Sequence, residues 1–182
     1  MKTIITRLLI LCAVTAVVFS PSAFAQRQLG KKKGPTSKLY IAENIGEARV
    51  KSGDRIYSVR QASAFDAPGT VIETSENSRT TFVYSNGVGM TVGSNTRVEI
   101  NRFEQEAFSA KAAAGAGSAE EPSVSKSEIY LSRGTIGIST SQFLTGSSMS
   151  CSTDLGSINI RGGNIRIESN PDETIIDLLD GS

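Results

Sequence analysis

The sequence predicts an all-β protein of short strands punctuated by glycines and turn residues. Three observations predict it. Apolar and polar residues alternate at period two in many short runs, as where Val98 and Ile100 share one face and Arg97 and Glu99 the other. Turn chemistry recurs between those runs, at Asp66-Ala67-Pro68-Gly69, Ser85-Asn86-Gly87, Gly93-Ser94-Asn95 and Asn170-Pro171-Asp172. And no long window between Leu39 and Phe103 holds the 3.6-residue period of an amphipathic helix.

The first segment lies outside that pattern. Lys2 and Arg7 make a positive start, Leu8 to Phe19 is apolar, and Pro21 and small residues follow. Ala23-Phe24-Ala25 fits the small-x-small rule, so residues 1–25 read as a signal peptide cut between Ala25 and Gln26. The apolar run falls short of the roughly 20 residues that a spanning helix needs. Cys12 sits inside it behind Leu11, which does not suit a lipoprotein. Cleavage leaves 17 basic against 18 acidic residues, a formal charge of −1, with Cys151 the remaining cysteine. A lone cysteine in an exported chain has no intramolecular disulfide partner, and Cys151 reads as a small core residue of a strand. Residues 26–37, with Arg27, Lys31, Lys32 and Lys33, read as a flexible basic leader.

The β-domain is expected over residues 38–182. Ile56 and Tyr57 start a strand, and Thr70 to Thr74 follows the Pro68-Gly69 turn. Arg79 to Tyr84 and Val88 to Val92 flank Asn86-Gly87, a dipeptide that suits a type I′ hairpin with positive φ at both residues. Residues 104–125 break the pattern. Ala107 to Pro122 is rich in Ala, Gly, Ser, Glu and Lys without an apolar stripe, so a mobile low-complexity insertion is expected, with one or two helical turns near Glu104 to Ala114. Strands return with Ile129 and Leu131, and Gly134 is expected to turn the chain into Ile136 and Ile138. Ile158 and Ile160, then Ile165 and Ile167, flank Arg161-Gly162-Gly163-Asn164, and Thr174 to Leu179 is the last strand. Glycine followed by apolar-x-apolar recurs as a weak repeat, which leaves solenoid-like and sandwich-like arrangements both open.

The order of these phrases resembles the FecR-type domain, named for the iron-dicitrate sensor proteins. The pieces are Ile45-Gly46-Glu47-Ala48-Arg49-Val50, Gly69 to Thr74 with Asn77-Ser78-Arg79, Phe82 to Gly87, Asn95 to Ile100, Leu131 to Ile136, and Ile160-Arg161-Gly162-Gly163. The resemblance covers roughly 39–181 and implies an envelope domain with a sensing or docking role. Asn86, Gly87, Gly134, Arg161, Gly162 and Gly163 are the turn positions it marks. Gly163 stands where the family has threonine, which suggests a looser turn. Classical members carry an anti-sigma segment and a membrane span before the domain. Neither is recognisable here, so sigma-factor regulation is not carried over. The family continues into another strand after Asp-Gly, so a chain stopping at Leu179-Asp180-Gly181-Ser182 is expected to be cut short, with an unpaired edge.

The composition excludes much chemistry. With no histidine, Ser-His and Cys-His nucleophile pairs, imidazole acid/base catalysis and histidine metal sites are absent. Near-neutral charge gives no general attraction to nucleic acid. The acid pairs Glu104 with Glu106, Glu120 with Glu121, and Asp172 with Glu173 lie in polar stretches and read as solvated surface. Asp154, Asn159, Asn164, Asp172 and Asp180 are too scattered for a calcium loop, and Arg79, Arg97, Arg161 and Arg166 read as exposed strand arginines. With no tryptophan, a stacking platform for sugar rings is poorly supplied. No catalytic residue, metal or cofactor is expected.

The reading is therefore an exported, periplasmic or extracellular, non-enzymatic module that contacts an envelope protein or cell-surface polymer through a β-edge, with no membrane span after cleavage. The alternatives are a carbohydrate-binding or carbohydrate-active β-solenoid and a structural envelope subunit. Intact-mass analysis of the exported protein is expected to give a chain beginning at Gln26; one still beginning at Met1 contradicts the leader assignment.

Overall fold

The computed structural model describes residues 37–59, 63–108 and 120–181. The signal peptide, Ala25, Gln26, Cys12, the basic leader and any helical turns past Phe108 lie outside the described residues.

No helix occurs among the described residues. The strands are β1 (Lys38–Ile45), β2 (Ala48–Ser52), β3 (Arg55–Ser58), β4 (Ala64–Asp66), β5 (Thr70–Thr74), β6 (Arg79–Tyr84) and β7 (Gly89–Val92). They continue as β8 (Arg97–Gln105), β9 (Ser125–Thr140), β10 (Ser148–Thr153), β11 (Gly156–Ile160), β12 (Gly163–Ser169) and β13 (Thr174–Gly181). The all-β expectation holds, and the architecture is one curled sheet. This sheet, antiparallel except where β10 joins β9, wraps one apolar core.

The curl comes from four bent ribbons. β1 continues into β2, β5 into β6 and β7 into β8, while β9 is one long strand. In one half-sheet the order is β1-β6-β7-β9, and in the other β2-β5-β8-β9. Each ribbon thus crosses from one half to the other, as strands do at the corners of orthogonal sandwiches. β12 and β13 extend the first half beyond β9, and β4 extends it beyond β1. β10 and β11 extend the second half beyond β9, and β3 extends it beyond β2. Alternation puts Ile72, Phe82, Met90, Val98, Ile100, Leu131 and Ile136 inside, almost wholly shielded from solvent. Tyr84 and Phe103 meet edge-on there, with ring centroids 4.9 Å apart.

The corners are held by hydroxyls. Asn77 and Asn95 take left-handed conformations, with φ of 55° and 52°, at the β5–β6 and β7–β8 bends. Each is followed by a buried hydroxyl residue, Ser78 or Thr96. Ser78 Oγ accepts from Glu47 N at 2.9 Å, and Thr96 Oγ1 accepts from Thr135 N at 2.9 Å. The same two hydroxyls donate back to Glu76 O and Ser94 O. Ser94 Oγ donates to Ser78 O at 3.1 Å, and Thr96 N donates to Thr74 Oγ1 at 3.1 Å. The four bends therefore form one continuous seam.

Gly134 differs from its expected role. It does not separate two strands but bends β9 in mid-course, with φ of +90°. A Cβ there would lie 2.6 Å from Thr96 Cα, so both the conformation and the close approach demand glycine. The alternation confirms the bend: Ile129 and Leu131 are buried before it and Ile136 and Ile138 after it. Gly163 also departs from expectation. Its φ is +95° and a Cβ would lie 2.6 Å from Gly181 Cα, so this junction is tight rather than loose. Asn86 does not take positive φ. Gly87, at φ +92°, alone does so in that loop, and its N–H bonds Tyr84 O at 2.9 Å, the pattern of a three-residue loop rather than a type I′ turn. Strands also run into both ends of the 104–125 stretch, and Phe108 is buried.

Urea unfolding tests the bend. Gly134→Ala is expected to cost about 2 kcal/mol or more. Gly137→Ala on the same strand, where a Cβ meets only Thr91 Cβ at 3.9 Å, is expected to change stability little.

Candidate functional site

The acidic residues singled out from the sequence do not converge. Glu104 lies on β8 and accepts from Arg102 at 2.7 Å, and Arg102 also reaches Glu128 at 3.3 Å. The Arg102 hydrogen bond holds the exposed Glu104 carboxyl below its usual range. Glu106 is exposed beyond the end of β8. Asp172 and Glu173 are exposed in a turn where both N–H groups donate to Asn170 Oδ1 at 2.9 Å. Asp154 accepts from Tyr130 at the β10–β11 turn. Asn159 lies on β11, Asn164 on β12 and Asp180 on β13. Among the described residues, no three His, Cys, Asp or Glu side chains are placed to share a metal ion.

Glu121 departs from the solvated-surface expectation. It is buried, and its carboxylate accepts from Ser125 Oγ at 2.8 Å, Leu144 N at 2.9 Å and Ser147 Oγ. Ser125 Oγ accepts in turn from Asn86 Nδ2 at 2.9 Å, and Asn86 Oδ1 accepts from Val88 N. This chain of bonds fastens the β9–β10 connection to the β6–β7 loop. Asn86, expected as a turn former, acts here as a buried hydrogen-bonding residue. The readable signal was Ser125 and Ser127 at core-facing positions ahead of Ile129 and Leu131.

The arginines are engaged across strands. Arg97 pairs with Glu73, Arg79 with Glu43 at 3.5 Å, and Arg166 with Asp177 at 2.7 Å as well as with Glu168. Arg161 is exposed at the β11–β12 junction beside Gly162 and Gly163. Cys151 is buried on β10, and burial pushes its thiol up to about 12, away from the reactive thiolate.

What stands open is an edge. The sheet path runs from β3 at one end to β4 at the other. Their edges approach one another: the rings of Tyr57 on β3 and Phe65 on β4 lie 5.3 Å apart, and Ser52 Oγ donates to Asp66 O at 3.4 Å. Between them is a cleft of about 600 Å³ lined by Ser52, Gly53, Tyr57, Ser63, Phe65 and Pro68 among others. Tyr57 stands opposite Val50, on the core-facing side, whereas Ile56 stands opposite Lys51 on the outer side and is 71% exposed. Among the described residues the outer edge of β3 has no strand partner, and such an edge with an exposed isoleucine is suited to pairing with another extended segment.

A family model described as FecR protein matches residues 70–182. The chain belongs to the FecR family. Membership suggests a sensing or regulatory role in the envelope, and the match takes in β5 through β13, hence the seam from Thr74 to Thr135. The Ile45–Val50 phrase, and with it β1 to β4 and the cleft, precede the matched part of this FecR-family chain. No curated protein and no solved structure matches it.

Glu121→Gln tests the buried network. The substitution puts an amide donor among donors, so a loss of about 1–3 kcal/mol in urea unfolding is expected, with Glu106→Gln nearly neutral. An unchanged midpoint for Glu121→Gln would falsify the fastening role.

Proposed function

We propose that this FecR-family chain is an exported, non-catalytic contact module of the bacterial envelope, docking an extended segment of a partner protein against the free edge of β3. The observation that carries the reading is that edge, with Ile56 71% exposed and the Tyr57–Phe65 cleft beside it. Added main-chain hydrogen bonds supply affinity in such pairing, and alternate side-chain positions supply selectivity. The segments before the family-matched region carry this edge, which gives a shared β-body a surface of its own. No helix of the described residues is long and apolar enough to cross a membrane, and the family is an envelope family, which supports an envelope setting.

A photo-crosslinking residue placed at Ile56 in the full chain, expressed in its native host, tests the proposal. The expected result is one discrete protein adduct that Tyr57→Asp abolishes, with no adduct from the same probe at Glu168. Absence of an adduct at Ile56 contradicts the reading. Saturable binding of the purified chain to an envelope polysaccharide, lost with Tyr57→Asp, transfers the role to the carbohydrate-binding alternative.

A further inference from the structure

The β2–β3 hairpin that carries the free edge also gathers cations without partners. Between Ala48 and Val59 the exposed charges are Arg49, Lys51 and Arg55 against Asp54. By contrast, Lys38, Arg79, Arg97, Arg102 and Arg166 each pair with a carboxylate. Among the described residues none of the three hairpin cations has an ion-pair partner. Glu73 stands directly across from Arg49 on β5, but its carboxylate already accepts from Arg97.

The register distributes these cations over both faces of β3. On the outer face Lys51 stands opposite Ile56 and Arg49 opposite Ser58. On the cleft face Ser52 stands opposite Arg55 and Val50 opposite Tyr57, whose ring continues to Phe65 with centroids 5.3 Å apart. A strand added beyond β3 lies about 5 Å from it and about 10 Å from β2. Arg55 adjoins such a strand directly. Ser58 is short enough for a guanidinium on β2 to extend over it. Met in order along the edge, the surface is therefore cationic at position 55, apolar at 56 and 57, and cationic again at 58 through Arg49.

We infer that the segment docked on β3 is acidic, with two apolar residues set against Ile56 and Tyr57 and an acid at each end, one against Arg55 and one against the Arg49–Ser58 pair. This rests on the β3 docking proposed above and adds the chemistry of the partner to it. The order acid–apolar–apolar–acid reads the same in both directions, so it holds for parallel and antiparallel approach alike. Unpaired cations steer an acidic segment toward the edge and repel a basic one, while the apolar pair sets the register. A purely anionic polymer would answer the cations but leave Ile56, Tyr57 and the strand edge unused, so the arrangement favours a peptide.

The chain with the photo-crosslinking residue at Ile56 reads the inference in the native host, with the adducted segment identified by mass spectrometry. The expected adduct lies in a protein segment that carries the acid–apolar–apolar–acid order. Arg49→Glu combined with Arg55→Glu is expected to lower its yield about tenfold or more, and Arg161→Glu to leave it unchanged. Lysines in place of the two partner acids are expected to abolish the adduct with the original chain and restore it with the doubly reversed one. If the double reversal lowers the urea midpoint, the lysine exchange on the partner decides, since it leaves this chain untouched. An adduct that survives both the reversal and the exchange, or maps to a segment without flanking acids, overturns the acidic pattern and leaves the β3 docking standing. An adduct to a glycan or other non-protein polymer overturns the peptide assignment. No adduct from any of the chains overturns the docking itself and this inference with it.

Discussion

Four ribbons must each leave one half-sheet and enter the other without stranding a buried backbone group, and that requirement organises the molecule. The regular ladder is interrupted at a corner: main-chain bonds such as Ser75 N to Glu47 O and Gly93 N to Thr135 O continue across it, while other N–H groups turn to side chains. Three hydroxyls take over there: Thr74, Ser78 and Thr96 accept from the N–H groups of Thr96, Glu47 and Thr135. Left-handed Asn77 and Asn95 aim two of these hydroxyls, and Gly46 and Gly134 let the adjoining ribbons come close enough to use them. A buried N–H left unpaired costs on the order of 1–3 kcal/mol, so the corners are fixed points rather than hinges.

Fixing the corners determines what remains for function. With the four-ribbon body wrapped around one core, buried Glu121 and Asn86 are occupied with holding connections together. Glu121 fastens the loop before β10, and Asn86 relays that fastening to the β6–β7 loop. Tyr84 is equally interior; burial first, then nearby Cys151, pushes its phenol up, and its hydroxyl donates to Met90 Sδ at 3.7 Å. Outside, Arg79, Arg97 and Arg166 pair with Glu43, Glu73 and Asp177 across strands. Among the described residues, β3 ends the sheet path with Ile56 exposed, and the proposed contact surface lies there.

The β-character was legible because period-two alternation is local: Arg97 to Ile100 declares its faces from neighbours alone. Several turns were legible for the same reason. Pro68 and Gly69 preset a turn in which Thr70 N bonds Ala67 O at 3.1 Å, and Asn170 caps two N–H groups of its own turn. Gly93-Ser94-Asn95 was legible as a turn, but that it carries the chain from one half-sheet to the other was not. Gly134 and Asn86 carry turn signals, yet one bends a continuous strand and the other is recruited by Ser125, 39 residues away. Glu121 was misread for a related reason: its partners Leu144 and Ser147 come from a distant loop, and local composition around it is that of a solvated segment. The candidate site was half legible. Ile56 and Tyr57 were visible as a strand start, but three-residue β4 gives no periodic signal, and its approach to β3 depends on the curl of the whole sheet.

Native-state hydrogen exchange at the seam amides tests the central claim most directly. The N–H groups of Glu47, Thr96 and Thr135 bond side-chain hydroxyls instead of strand neighbours. If the seam is what holds the two half-sheets at their angle, these three exchange only through global unfolding, with the same free energy of opening as Met90 in the middle of the core. Exchange of the three by local opening, orders of magnitude faster than Met90, contradicts the account: the curl would then be imposed by core packing, with the hydroxyls merely filling the space it leaves.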